Sequence, residues 1–454
     1  GGGGGGGALP VDNSGGQLPA GSPMFSPALY ASGLPAGPSP SLSPSVPRGA
    51  EPTAEEVEEW GMRAEAEARG MGAQSNLLAW SSRAFRKPLL HPWKSSDDAL
   101  TESGARRLWR LERACQASRS ARGLGAARKL DQTLVQDTGQ EMNTLLNFHP
   151  FAPSLVVADA RDNVSVWNVD ETECVTRLRN GNREGRITSM AWLNPHLQSL
   201  LLLGSDDGVA RLWRGAQGDE FLREPSLLTA LALVPGLRPA GRGSGLITLW
   251  QQHQGTLFAG GASPALRAWD LHAERCVRTI PTKSSAGLTS LAALPAAGAL
   301  VAGFTDGALH LVDARTPQAL AVQSGVREHK RWVVNVAAPQ GGSGYSLGTA
   351  SVAGDVRLWD VRRLRRSVRA EQVQTSMLTA FAMHDHVPLI ATGSHMKFIQ
   401  LLDADFTSLG VIKFHDGFMG QRIGQITTLA FHPTRLLLAA GATDSIVSVY
   451  TGER

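Results

Sequence analysis

The sequence predicts an all-β fold, a seven-bladed β-propeller preceded by a disordered linker and short helices, on three observations. The first is a change of texture: residues 1 to about 50 are mostly Gly, Pro, Ser and Ala, whereas from residue 128 short β-rich runs alternate with turn residues. The second is a repeated strand ending in a bulky residue: NVSVWNV at Trp167, VARLWRG at Trp213, ALRAWDL at Trp269, ALHLVDA at Val312, DVRLWDV at Trp359, FIQLLDA at Leu402 and IVSVYTG at Val449. Successive copies lie 46, 56, 43, 47, 43 and 47 residues apart, the period of the four-stranded blade of a WD40 propeller. The third is the turn chemistry ahead of the copies. Asp207-Gly208, Asp306-Gly307 and Gly354-Asp355 offer the positive φ that a tight two-residue turn needs.

Taken in order, residues 1–75 read as a disordered linker with a short helix, 76–127 as a helical connector and 128–454 as the propeller. The first fifty residues hold one acid, Asp12, and one base, Arg48, with too little apolar area to offset the entropy of ordering. In TAEEVEEWGMRAEAEAR, residues 53–69, acids come early and arginines late around Val57, Trp60 and Ala64, in agreement with a helix dipole. This helix either docks or forms transiently in solvent. Residues 104–129 place Leu108, Leu111 and Cys115 on one face among many arginines, which reads as a solvated connector rather than a basic docking helix. RKLDQTLVQD at 128–137 is strand-like, and the chain stops soon after the third strand of the seventh blade. This strand is therefore expected to become the outer strand of blade seven and to leave no long edge exposed. Earlier in each unit, runs such as ITSMAWLNP, LTSLAALP and ITTLAFHP read as innermost strands, continuous in apolar character because blades pack on both faces. LVPGLRPAGRGSG, 233–245, reads as an insertion in blade three.

Function classes narrow by exclusion. The formal net charge of +4 is small for 454 residues and does not ask for a polyanion. The three cysteines, Cys115, Cys174 and Cys276, lack metal-ligand spacing and imply a reducing compartment. No apolar run is long enough to span a membrane and the start lacks a signal-peptide pattern, so a soluble intracellular protein is expected. Without an initiator Met, the chain reads as the C-terminal part of a longer protein. Twelve dispersed histidines, with no GxSxG, HExxH or P-loop, predict neither catalysis nor metal nor cofactor. The His149-Pro150 and His432-Pro433 pairs read as repeated strand-end turns, Asp206 with Asp207 as a turn, and the tryptophans at 167, 213, 269 and 359 as blade packing.

Two segments remain as binding candidates. RRLRRSVR, 362–369, sets Arg362, Arg363, Arg365 and Arg366 at the edge of blade five, either to hold an acidic partner or as a solvated edge. HDGFMGQRIG, 415–424, puts Phe418 and Met419 with Gln421 and Arg422 into the connection from blade six to blade seven. Its apolar residues either tuck into the propeller or meet a partner. Phe418 at least partly buried, with Met419 and Arg422 outward, is the expected arrangement.

TGQEMNTLLNFHPFAPSLVVAD, VARLWRG, WSSRAFRKPLL and above all HDGFMGQRIGQITTLAFHPTRLLLAAGATDSIVSVYT resemble the C-terminal region of the raptor family, most closely its plant and green-algal type. The resemblance covers about residues 77 to 454. It implies a non-catalytic scaffold or adaptor subunit of TOR kinase complex 1 in nutrient and growth signalling and autophagy regulation. Its implied partners are TOR kinase, other TOR-complex subunits and small GTPases, with no nucleic acid and no direct membrane insertion. It further implies a cytoplasmic protein recruited to the vacuole or lysosome surface through partners, with a caspase-like domain and a helical solenoid further N-terminal. A generic WD40 adaptor, such as a ubiquitin-ligase substrate receptor, is the alternative, and the 415–450 match argues against it. The Gly-His and buried-Asp pattern of many WD40 repeats is mostly missing, with His329 and Trp359-Asp360 as scattered candidates.

Overall fold

The computed structural model describes residues 130–452 apart from 140, 183–184, 196–198, 217–223, 238–244, 253, 295–297, 314–321, 340–346 and 417–419. The readings of the linker and of the helical connector lie outside the described residues. Within them the chain forms seven four-stranded antiparallel sheets. Six sheets run inner to outer in chain order, and each of the seven repeated motifs forms the third strand of its blade. The seventh is composite: its outer strand is Asp131–Asp137, from the other end of the chain, paired antiparallel with Ile446–Thr451 in the register Asp131 to Thr451 and Asp137 to Ile446. Closure by the early strand is thus as the sequence predicts. Leu130 and Leu134 anchor it from both sides, for Leu130 is buried in the layer between blades 6 and 7 and Leu134 in the layer between blades 7 and 1, while Val135 stays exposed.

The inner strands are Asn143–Phe148, Ile187–Leu193, Ile247–Gln251, Leu288–Leu294, Val333–Ala337, Leu378–Met383 and Ile426–Phe431. Each touches the inner strand of the next blade, and the last touches the first, so the ring closes. The sequence expectation that these strands are the continuously buried ones needs correcting. Continuous burial belongs to the second strands, such as Ser154–Asp159, Leu200–Ser205 and Leu389–Ser394, whereas the inner strands alternate buried with half-buried positions. A second strand has a hydrogen-bonded neighbour on each side and a blade on each face; an inner strand has an open edge at the axis.

The core is accordingly divided into seven layers, one between each pair of neighbouring blades. The insertion at 233–245 lies between the outer strand of blade 2 and the inner strand of blade 3, and its Leu233, Val234 and Leu237 fill the layer between those blades. Polar ties cross the same seams. Thr188 donates to the Leu246 carbonyl (2.9 Å), Thr379 to that of Ile426 (2.6 Å) and Thr427 to that of Asn143 (2.5 Å), each reaching the first inner-strand residue, or the residue before it, in the next blade. At the turns, Gly208, Gly307 and Gly354 have φ of 84°, 85° and 91°, the left-handed conformation that their positions predict.

The WD40 pinning network, scattered in the sequence, is complete in blade 5, although its acid is Asp355 and not Asp360. His329 Nδ1 bonds Asp355 at 2.7 Å, its Nε2 bonds the Thr349 hydroxyl at 2.7 Å, and Trp359 donates to that hydroxyl at 2.9 Å. Burial pushes the Asp355 carboxyl up, but the bond and charge of His329, with Ser351 and Arg357, outweigh it and hold the group well below the usual carboxylate range. Asp360 instead caps the short 3-10 turn Val361–Arg363 and grips Arg362. Elsewhere amides replace the histidine: Asn180 links Ser205 (2.9 Å) to Trp213 (3.2 Å), and Gln374 reaches Thr392 (2.9 Å). Replacing His329 by Ala removes a fully buried ring and strands Asp355 and Thr349. The expected loss is about 2–4 kcal/mol of unfolding free energy, measured by urea denaturation; a loss under about 1 kcal/mol would show that the network is decorative.

Candidate interaction site

In every blade the second-to-third turn and the connection to the next blade share one end of the strands, here called the upper face. Backbone bonds such as Asn180 to Asp162, Gln374 to Gly354 and His395 to Met377 join them there. The other two connections of a blade lie on the lower face. The two sequence-predicted binding segments are not brought together. The arginine segment leaves the third strand of blade 5 at its lower end, and the 413–425 connection leaves the outer strand of blade 6, Ser408–Ile412, at its upper end.

The arginine segment is a fixed loop. Leu364 is buried beneath it, and Glu328 accepts both the Ser367 amide (3.0 Å) and its hydroxyl (2.6 Å) while also bonding Arg357 (2.6 Å). Arg362, Arg363, Arg365 and Arg366 all remain exposed. Arg362 is spent on Asp360, and Arg369 pairs with Asp405 of blade 6 at 2.8 Å.

The second segment is a hairpin. Phe414 bridges Arg422, and the flanking bonds run from the His415 amide to the Gln421 carbonyl (2.9 Å) and from the Ile423 amide to the Lys413 carbonyl (3.1 Å). Phe414 and Arg422 thus form a non-hydrogen-bonded pair whose side chains stand on one face of the hairpin. Both are exposed, Phe414 by 57%. The opposite face holds Ile423, buried in the layer between blades 6 and 7, and His415, half-buried. The hairpin folds into the outer wedge between these blades and is clipped to the closing strand. Gln132 receives the Asp416 amide on its side-chain oxygen (2.5 Å), gives its own amide to the Asp416 carboxylate (3.2 Å) and bonds His415 Nδ1 (3.1 Å). Burial lowers the His415 pKa, against the charges of Asp444 and Asp416. Gln421 is exposed, and Arg422 donates to the Met396 carbonyl at 3.2 Å, so its outward position is as expected. Phe418 and Met419 lie outside the described residues. The clip joins residues more than 280 positions apart, and no local pattern announces it.

The histidines weighed for chemistry are structural. His149 Nδ1 accepts the Phe151 and Ala152 amides (3.1 and 2.8 Å), and His432 Nδ1 accepts those of Thr434 and Arg435 (3.1 and 3.0 Å). His384, which sequence reasoning passed over, does the same for His386 and Val387. With Nδ1 accepting, the proton sits on Nε2 and points to a neighbouring blade. His384 donates to the Arg435 carbonyl (3.0 Å), His432 bonds the backbone of His149, and His149 reaches Ser199 (2.8 Å). Three buried rings therefore stitch blade 6 to 7, 7 to 1 and 1 to 2 on the lower face. The signal for His384 was its position directly after an inner strand, where blades 1 and 7 carry their histidines. Asp207 caps its turn and Asp206 receives the Arg186 amide (3.0 Å), while Trp167 and Trp359 are buried. Among the described residues no three His, Cys, Asp or Glu side chains converge as metal ligands, and no helix is long and apolar enough to cross a membrane.

Residues 413–451, from the hairpin through blade 7, match the family described as WD domain, G-beta repeat. Regulatory-associated protein of TOR 1 of Arabidopsis thaliana is 33% identical over 83% of this chain and 28% of its own length. Target of rapamycin complex 1 subunit mip1 of Schizosaccharomyces pombe is 30% identical over 84% of the chain and 29% of its own. The crystal structure of Chaetomium thermophilum Raptor superposes with a TM-score of 0.64 at 28% identity, over 71% of this chain and 29% of that one. The chain thus spans between a quarter and a third of the length of the proteins it matches. In sequence along most of its length, and in fold, it belongs with the raptor family, as that family's WD40 propeller region.

Proposed function

We propose that this propeller is the non-catalytic, partner-holding platform of a TOR complex 1 regulatory subunit acting in nutrient and growth signalling. The observation behind this reading is homology running over four fifths of the chain to proteins named as TOR complex 1 subunits or TOR regulators. The architecture supports it: seven four-stranded sheets, the last closed by the early strand Asp131–Asp137, form one ring with connections at two faces. The partners are TOR kinase and its companion subunits, with small GTPases joining through the same assembly. Its place is the cytoplasm and, through partners, the vacuole or lysosome surface.

Affinity purification of the tagged chain from cells, followed by mass spectrometry, tests the reading. TOR kinase among the recovered proteins is the expected result, whereas ubiquitin-ligase subunits in its place would favour the generic WD40 adaptor and overturn it. In the same assay Arg422→Ala is expected to reduce TOR recovery about fivefold or more while the melting temperature stays unchanged. An exposed side chain with a single carbonyl bond adds little to folding, whereas an arginine anchor adds much to binding. Unchanged recovery removes the hairpin from the binding surface.

A further inference from the structure

The arginine loop on the lower face of blade 5 carries more positive charge than the fold accounts for. Arg362, Arg363, Arg365 and Arg366 follow one another closely and are all exposed. Three acids of this region are already engaged. Asp360 caps the 3-10 turn and pairs with Arg362 at 2.7 Å, Glu328 holds Arg357 and Ser367, and Asp405 of blade 6 pairs with Arg369 at 2.8 Å. Arg363, Arg365 and Arg366 are left over, and among the described residues none of them forms an ion pair.

Guarding the sheet edge does not explain them. The outer strand of blade 5 is the short Arg369–Gln372, which carries its own charges at Arg369 and Glu371, and the three remaining arginines precede it in the loop. Nor is the loop a loose solvated tether. Leu364, between Arg363 and Arg365, is buried in the layer between blades 4 and 5, and Glu328 holds the Ser367 amide and hydroxyl at 3.0 and 2.6 Å. The backbone is thus fixed on both sides of Arg365 and Arg366, so a ligand loses little free energy to ordering it.

We propose that this loop is a binding site for a phosphorylated serine or threonine in a partner protein. Two features of the chemistry favour phosphate over carboxylate. A phosphoryl group brings about −1.5 to −2 charge and three acceptor oxygens, so it can engage two or three guanidinium groups where a carboxylate brings a single charge. The loop and its surroundings also use arginine alone, with no lysine from Asp355 to Met396. A guanidinium presents a planar fork that meets phosphate oxygens in pairs, whereas an ammonium offers only a point charge. The inference rests on the reading of the propeller as a partner-holding platform and adds to it the place and the chemistry of one partner.

An array of peptides with a fixed central phosphoserine or phosphothreonine and random flanks, probed with the full chain, tests it without requiring TOR. Matched arrays carry Ser, Thr or Glu at the centre, and binding is expected only where the phosphate is present. A synthetic copy of the strongest phosphopeptide, measured by fluorescence anisotropy, should bind about tenfold or more weakly to Arg365→Glu/Arg366→Glu. Arg365→Lys/Arg366→Lys keeps the charge but loses the fork, and should fall between that variant and the parent. The charge control Arg275→Glu/Lys330→Glu, outside the loop, should bind as the parent does. All the substituted side chains are exposed, so equal melting temperatures verify that binding alone has changed. Glu peptides bound as well as phosphopeptides, a lysine pair as good as the arginines, binding indifferent to the loop variants, or no phosphopeptide bound at all overturns the proposal. So does capture of phosphatidylserine-containing vesicles by the loop with phosphopeptides ignored. If TOR is missing from the affinity purification while phosphopeptide binding holds, the TOR-complex reading falls and the site stands.

Discussion

Deleting residues 131–137 is expected to remove most or all of the propeller's stability. The deletion takes Leu134 out of the layer between blades 7 and 1 and detaches Leu130 from the layer between blades 6 and 7, at about 1.5–3 kcal/mol for each leucine before cavity costs. It also breaks the ladder to Ile446–Thr451 and the clip from Gln132 to the hairpin, each lost bond adding about 0.5–1.5 kcal/mol. The sum is comparable to the 5–15 kcal/mol that holds an ordinary domain together. The exposed edge of Ile446–Thr451 then becomes a template for intermolecular pairing. Size-exclusion chromatography should show aggregates, and a melt should show a lowered or absent transition. Deleting residues 1–70 should change neither, and if both truncations melt alike, the strand does not close the ring energetically.

Acid provides the second large effect. Burial, with the nearby charges of Arg435 and His384, lowers the His432 pKa to about 3. A histidine depressed in the folded state binds fewer protons there than in the unfolded chain, where its pKa is about 6.5. Its contribution is therefore complete above pH 6.5 and is lost as pH falls from 6.5 toward 3, at about 1.4 kcal/mol per pH unit. By pH 4.5 the loss is about 2–3 kcal/mol. Asp355 titrates below the usual carboxylate range, so its contribution is still present in that window and the two groups are separable. His432→Asn keeps an acceptor for the Thr434 and Arg435 amides but cannot be protonated. It should flatten the stability profile between pH 6.5 and 4.5 by about one proton, as read from urea midpoints. An unchanged slope would show that the ring does not govern acid sensitivity.

What the sequence made legible was whatever repeats or is local. Trp167, Trp213, Trp269 and Trp359 recur at the blade period, and Gly208, Gly307 and Gly354 each settle a turn within four residues. The closing strand was readable because a count of strands left blade 7 one short. Features that join distant residues were not readable. Gln132 and Asp416 have no common pattern, and Asn180 and Gln374 perform a histidine's task without looking like one, since an amide can donate and accept as an imidazole does. The hairpin's division of labour was half visible. The outward Arg422 could be read, but the exposed Phe414 just outside the motif could not, because a lone aromatic following an outer strand resembles core.

The closing strand also decides how the molecule bears a load. Asp131 pairs with Thr451, so the two ends of the chain enter and leave the fold at the same end of one ladder. Tension on the segment entering at residue 130 peels that ladder open one pair at a time, like a zipper, rather than shearing all its bonds together. Its first obstacle is Gln132, where the clip to His415 and Asp416 adds bonds at the point where peeling begins. A pull transmitted along that segment therefore loosens the hairpin beside Phe414 before it disturbs any other blade.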